Sequence, residues 1–156
     1  MRIVFNLPHL FRLDTSPVEN SDGLRNLMET LVRFNLDYLK NYKVPHLYRS
    51  GVVYGRTNMW EPIPALYERG FGDCKSLSAA LIAQYEIRGI PASPVFRFSA
   101  SSYRGDDHLL YHILVQTTDG YEDPSRKLGM GRDEWKYFQK NAKPITLETD
   151  GKEVDQ

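Results

Sequence analysis

The sequence predicts an α+β fold in which a central helix packs on an antiparallel sheet, and three observations carry that reading. Residues 24–42 repeat apolar side chains at helical spacing, residues 74–88 form a helix with almost no polar face, and residues 94–100 and 109–123 read as strands around a turn. A chain of 156 residues can bury one core of useful size, so we expect a single domain over residues 1–150 and a solvated tail at 151–156.

Residues 1–6, MRIVFN, alternate as a short strand that Pro8 confines to an edge or an end. The stretch DTSPVENSDG that follows is turn-like. Leu24, Leu27, Met28, Leu31, Val32 and Leu39 then mark the core face of an amphipathic helix ending near Tyr42. Residues 43–70 hold Pro45, Pro62 and Pro64 among several aromatics, and read as a long connection with one short helical turn. Within it, Tyr48, Tyr54 and Trp60 read first as pins to the core, with a groove-lining role as the alternative.

The helix that begins at Cys74 has its boundaries written around it. Asp73 suits the N-cap, Gly89 the position just past the end near Arg88, and Pro91 the stop. PVFRFSA, residues 94–100, is a strand and SSYRGDDH a polar loop; LLYHILVQ, residues 109–116, then TTDG and YED make a strand, a turn and a returning strand. A helix around Asp133 to Lys140 and an extended PITLET complete the reading.

Composition excludes several classes of function. Twenty Lys plus Arg balance twenty Asp plus Glu, so the chain lacks the basic field that a nucleic-acid backbone demands. No apolar run approaches the roughly 20 residues needed to span a bilayer, and Asn6, Pro8 and His9 interrupt any signal-like core at the N-terminus. The single cysteine cannot form an internal disulfide, which suits a reducing compartment. We therefore expect no nucleic-acid partner and no membrane partner.

That one cysteine stands where chemistry favours it. The attacking species is a thiolate, and the first turn of a helix offers unpaired backbone N–H groups and the positive end of the macrodipole, which also suit an oxyanion. Gly70 and Gly72 leave room for a substrate backbone, while Asp73 opposes the thiolate unless its charge is engaged in capping. A nucleophile needs a base, and the base an orienting group. Of His9, His46, His108 and His112, the last lies inside a strand flanked by apolar residues on both faces, where an imidazole needs a partner.

Asp123 is the carboxylate best placed to orient His112. A two-residue turn of Asp119 and Gly120 would set Asp123 opposite Gln116, four positions or roughly 13 Å from His112. A four-residue loop, Gln116 to Asp119, would set Asp123 and His112 directly opposite, so the pairing requires the wider turn or a bend that returns Asp123. The plainer readings are an inert core cysteine, a core histidine and a turn aspartate. A metal reading draws on His108 and His112, with Asp106, Asp107 and Cys74 as further ligands, but lacks the tight paired spacing of a structural zinc site.

Taken together, GDCKSLSAALIAQYEIRGIPA, then YHILVQ, then DGYEDPS resembles the core of the transglutaminase-like superfamily of thiol enzymes, over about residues 66–130. The resemblance implies a papain-like fold with Cys74 as nucleophile, His112 as general base and Asp123 as its orienter. It departs from the family where Ile113 and Leu114 follow the histidine and a tryptophan is often found; Trp60, upstream, is the candidate side chain for an oxyanion hole. Small stand-alone members occur among structural genes of tailed bacteriophages, which the chain's size and the run DPSRKLGM resemble.

What the resemblance implies is cysteine-dependent acyl transfer on a peptide or protein amide substrate, as a protease or amidase when water resolves the thioester and as a transglutaminase-like enzyme when an amine does. This chemistry needs no cofactor, and SYRGDDH lacks the ligand spacing of a calcium loop. The expected location is cytoplasmic or within a phage particle, where phage structural proteins would be partners. The alternative is an inactive structural or assembly protein that keeps the fold.

Overall fold

The computed structural model describes residues 17–103, 106–131, 145–147 and 153–155, with side-chain surroundings for 23–97 and 111–131. Helices and strands are mixed in an α+β arrangement. The first helix, α1, runs from Pro17 to Asn41. It therefore starts inside the stretch expected to be a turn. Proline is tolerated in a first helical turn, and the polar residues after it carry no apolar period to announce a helix. Its core face is Leu24, Met28, Leu31, Val32 and Asn35, all buried at helical intervals.

The connection expected over 43–70 has more order than its prolines suggest. A 3-10 turn at Leu47–Arg49 is followed by β1 (Val53–Tyr54) and by α2 (Ile63–Arg69). Pro62 and Pro64 fall at the start of α2, where the missing N–H is no loss. Gly70 closes α2 in the left-handed region at φ 80°, and β2 (Phe71–Gly72) pairs in parallel with β1.

The central helix α3 spans Cys74–Glu86, and every residue from Cys74 to Gln84 is buried. Its end follows the sequence reading within two residues. Gly89, at φ 73°, donates to the Glu86 carbonyl at 2.9 Å, and Ile90 donates to that of Tyr85 at 3.0 Å. Polar side chains inside this helix are engaged: Ser78 donates to the Ile113 carbonyl at 3.1 Å, and Gln84 accepts from Leu47 N–H at 2.8 Å and reaches the Tyr67 hydroxyl at 3.0 Å.

The main sheet has the order β5-β4-β3-β6-β7, with every pairing antiparallel. Its strands are β3 (Ala92–Tyr103), β4 (Asp106–Thr117), β5 (Gly120–Glu122), β6 (Ile145–Leu147) and β7 (Glu153–Asp155). β3 and β4 extend through most of SSYRGDDH, pairing as far as Tyr103 with Asp106, so residues 101–103 and 106–108, expected as polar loop, are strand. Polar residues are compatible with a strand that keeps its backbone ladder, and composition alone misses such a strand. Three residues of the expected tail, Glu153–Asp155, pair with β6 as a strand. Phe96, Ile113 and Val115 join the core cluster beneath α1 and α3.

The strand expected at residues 1–6, His9 and the helix expected over 133–140 lie outside the described residues. Among the described residues, no helix is long and apolar enough to cross a membrane.

Candidate active site

Cys74 is the first residue of α3 and Asp73 its N-cap. The Asp73 carboxylate accepts from Lys75 N–H at 3.2 Å and forms a close ion pair with the Lys75 ammonium. Lys75 also donates to the Thr57 carbonyl at 2.9 Å, and its charge lies 6.0 Å from the centroid of the Trp60 ring. Burial raises the Asp73 pKa and outweighs the opposite pull of Lys75. The concern that Asp73 would repel a thiolate is thus met by capping and by a neighbouring cation, which the sequence reading did not single out.

The irregular segment before α2 is fastened to the start of α3, and the first residue of α2 to α1. Glu61 N–H donates to Ser76 Oγ at 2.9 Å, and Ile63 N–H donates to Asn35 Oδ1 at 2.7 Å. Trp60 and Tyr54 are partly buried against the core, as the pinning reading expects. Gly72 also has a packing role: an added Cβ would lie 2.5 Å from Leu66 Cδ1, so the missing side chain makes room for α2.

His112 is 3% exposed. Its Nε2 lies 2.9 Å from Asp123 Oδ2, and Cys74 lies near enough to the ring to act on its charge. With Nε2 engaged by the carboxylate, Nδ1 is the nitrogen left for the sulfur. Burial, the largest single influence, disfavours the imidazolium. The Asp123 hydrogen bond and the nearness of Cys74, with the charges of both, together exceed it and raise the His112 pKa to about 9. Cys74 and Asp73 also lie near Tyr111, whose hydroxyl is held protonated by burial first and by these two groups second.

The register that brings His112 and Asp123 together is neither of the two considered from sequence. β4 and β5 pair as Val115 with Glu122, Gln116 with Tyr121 and Thr117 with Gly120, around a two-residue turn of Thr118 and Asp119. Continued one step, Asp123 would face Leu114, two residues from His112 and on the same side of the strand. The wide turn is unnecessary because diagonal neighbours of this kind are within reach of long side chains. Asp123 also leaves the ladder to become the N-cap of α4 (Pro124–Lys127), and its Oδ1 accepts from Arg126 N–H at 3.1 Å. Both carboxylate oxygens are therefore assigned, one to the helix and one to the imidazole.

Glu122, adjacent to Asp123, was missed by the sequence reading. Its carboxylate accepts from the Tyr48 hydroxyl at 2.7 Å, the Tyr85 hydroxyl at 2.6 Å and the Lys127 ammonium at 2.6 Å. The triplet YED was a signal, since a second carboxylate beside an orienting one needs partners of its own. Its partners are 74 and 37 residues away in sequence for the two tyrosines, so no local pattern names them.

A hollow of about 580 Å3 opens beside this junction, bounded in part by Tyr85, Tyr121, Glu122, Asp123 and Arg126. It meets the trio only at Asp123; Cys74 and His112 do not line it. Among the described residues, no group of three or more His, Cys, Asp and Glu side chains is disposed to hold a metal ion. The side chains of Asp106, Asp107 and His108, named in the metal reading, lie outside those described.

The structure accordingly brings all three predicted site residues together: a thiol at a helix start, an imidazole near it, and a carboxylate bonded to Nε2 of that imidazole. Compared with family models, curated proteins and solved structures, the chain matches none of them.

Proposed function

We propose that this protein is a transglutaminase-like thiol enzyme that performs acyl transfer on amide bonds, with Cys74 as nucleophile, His112 as general base and acid, and Asp123 orienting the imidazole. The observation that carries the reading is the His112 ring bonded to Asp123 Oδ2 at 2.9 Å, with Cys74, at the first position of α3, near it. In the first step the sulfur, its proton taken by His112, bonds to the amide carbon and an oxyanion forms. N–H groups at the helix start are of the kind that stabilise it. Collapse breaks the C–N bond, His112 gives the proton to the leaving amine, and a thioester remains. Water then yields an acid, or a second amine yields a new amide; either returns the thiol.

The resemblance of GDCKSL, YHILVQ and YEDPS to that superfamily supports the same reading and a papain-like arrangement of the core. It also supports a cytoplasmic or phage-particle setting with a protein substrate. A second reading, an inactive assembly protein, draws on one observation: Cys74 is only 8% exposed.

An activated acyl ester, p-nitrophenyl acetate, tests the proposal without knowledge of the natural substrate. The expected result is a burst of nitrophenolate with acetyl recovered on Cys74, absent in Cys74→Ser. Release no faster than in Cys74→Ser would overturn it.

A further inference from the structure

Glu122 ends β5 one residue before Asp123, and its carboxylate gathers donors from three separate parts of the chain. Tyr48 belongs to the 3-10 turn, Tyr85 to the last turn of α3, and Lys127 to α4. β5 has only three residues, and its ladder to β4 stops at Glu122. A strand that short gives little hold on the direction in which the chain leaves it. Asp123 must leave it in one direction, because its side chain is shared between Arg126 N–H and His112 Nε2.

We propose that Glu122 is a positioning residue for the candidate site. Its carboxylate, clamped by the hydroxyls of Tyr48 and Tyr85, fixes the β5–α4 junction to α3 and so aims Asp123 at His112. The inference rests on the acyl-transfer reading given above. The two tyrosines carry most of the effect. Charge-assisted O–H bonds of 2.6–2.7 Å are strong, whereas Lys127 is 56% exposed on its side chain and its ion pair is screened by solvent.

Protonation states suit a fixed clamp. Burial and Glu122 itself raise both tyrosines, Tyr85 to about 12, so the hydroxyls remain donors. Burial pulls Glu122 upward, but its bonds to Lys127, Tyr85 and Tyr48 outweigh that and keep it low and charged. The clamp also couples α3 to Asp123 from both ends: Cys74 starts the helix and Tyr85 lies in its last turn. A tilt of the helix therefore moves thiol and clamp together.

The test compares Tyr48→Phe, Tyr85→Phe and the double variant with the wild type, each alone and in an Asp123→Asn background. The readouts are the pH profile of Cys74 alkylation by iodoacetamide and the His112 titration by NMR. With Asp123 present, the double variant should label about three- to tenfold more slowly at pH 6 and titrate at lower pH, the size of coupling usual within one network. In the Asp123→Asn background the same changes should have no further effect on either profile, which a general loss of stability could not produce. The single variants remove one hydroxyl each and keep the comparison available should the double variant not fold. Unchanged profiles in folded tyrosine variants, or equal effects with and without Asp123, would overturn the inference. A wild type that fails to label at pH 6 would instead overturn the acyl-transfer reading.

Discussion

His112 and Asp123 are bonded at 2.9 Å although they are not partners in the strand register. The ladder would align Asp123 with Leu114, and the bond forms on the diagonal as the chain turns into α4. This relationship gives Asp123 two tasks that substitution can separate.

Asp123→Asn keeps an N-cap for α4 but removes the charge that favours the imidazolium. Labelling of Cys74 at pH 6 should fall by about tenfold or more, since a hydrogen bond to a charged group contributes roughly 1.5–3 kcal/mol. Asp123→Ala should slow labelling to a similar degree and in addition lower stability by about 1 kcal/mol through the lost cap. Urea unfolding measured beside the labelling rates checks both parts.

The His112 titration has a definite sign. Its pKa is raised from 6.5 to about 9, so the ring is charged at neutral pH and loses its proton as pH rises through about 9. The imidazole's own contribution to stability is therefore fully present below about pH 6.5 and is lost as pH climbs from there through about 9. NMR of the ring protons should place the midpoint near 9 in the wild type and lower in Asp123→Asn. A wild-type midpoint at or below 6.5 would contradict the site geometry.

Lys75→Met leaves the buried Asp73 carboxylate without its cation. Breaking one side of a buried pair typically costs about 3–5 kcal/mol, much of it the penalty of the stranded charge. The double variant Lys75→Met, Asp73→Asn keeps a capping side chain without the charge, and should be more stable than Lys75→Met alone. Urea midpoints of the three proteins decide the point.

Gly72→Ala tests the tight contact that precedes Cys74. The new methyl would meet Leu66 Cδ1, and Leu66 is fully buried with little room to yield. Overpacking of this kind costs about 1–3 kcal/mol. A thermal midpoint equal to the wild type's would show that α2 shifts freely.

Much of the site was legible because its pieces are local. Asp73, Cys74 and Gly89 announce the ends of α3, and the unbroken apolar run in β4 makes His112 conspicuous. The register was not legible, since Thr118–Asp119 and Asp119–Gly120 are both acceptable turns and only packing decides between them. The start of α1 was hidden for a different reason: the residues between Pro17 and Leu24 make a helix without an apolar stripe. Long-range partners such as Tyr48 with Glu122 leave no spacing to read.

The most direct measurement is the rate of iodoacetamide labelling of the native wild type at pH 6 and pH 8, with His112→Ala beside it and Cys74→Ser as the blank. An unassisted thiol with the ordinary pKa of about 8.5 labels on the order of a hundredfold more slowly at pH 6 than at pH 8. The account predicts that the wild type loses less than about tenfold over that interval, and that His112→Ala restores the steep dependence. A wild type as steep as His112→Ala, or silent until denaturant is added, would contradict a nucleophilic Cys74.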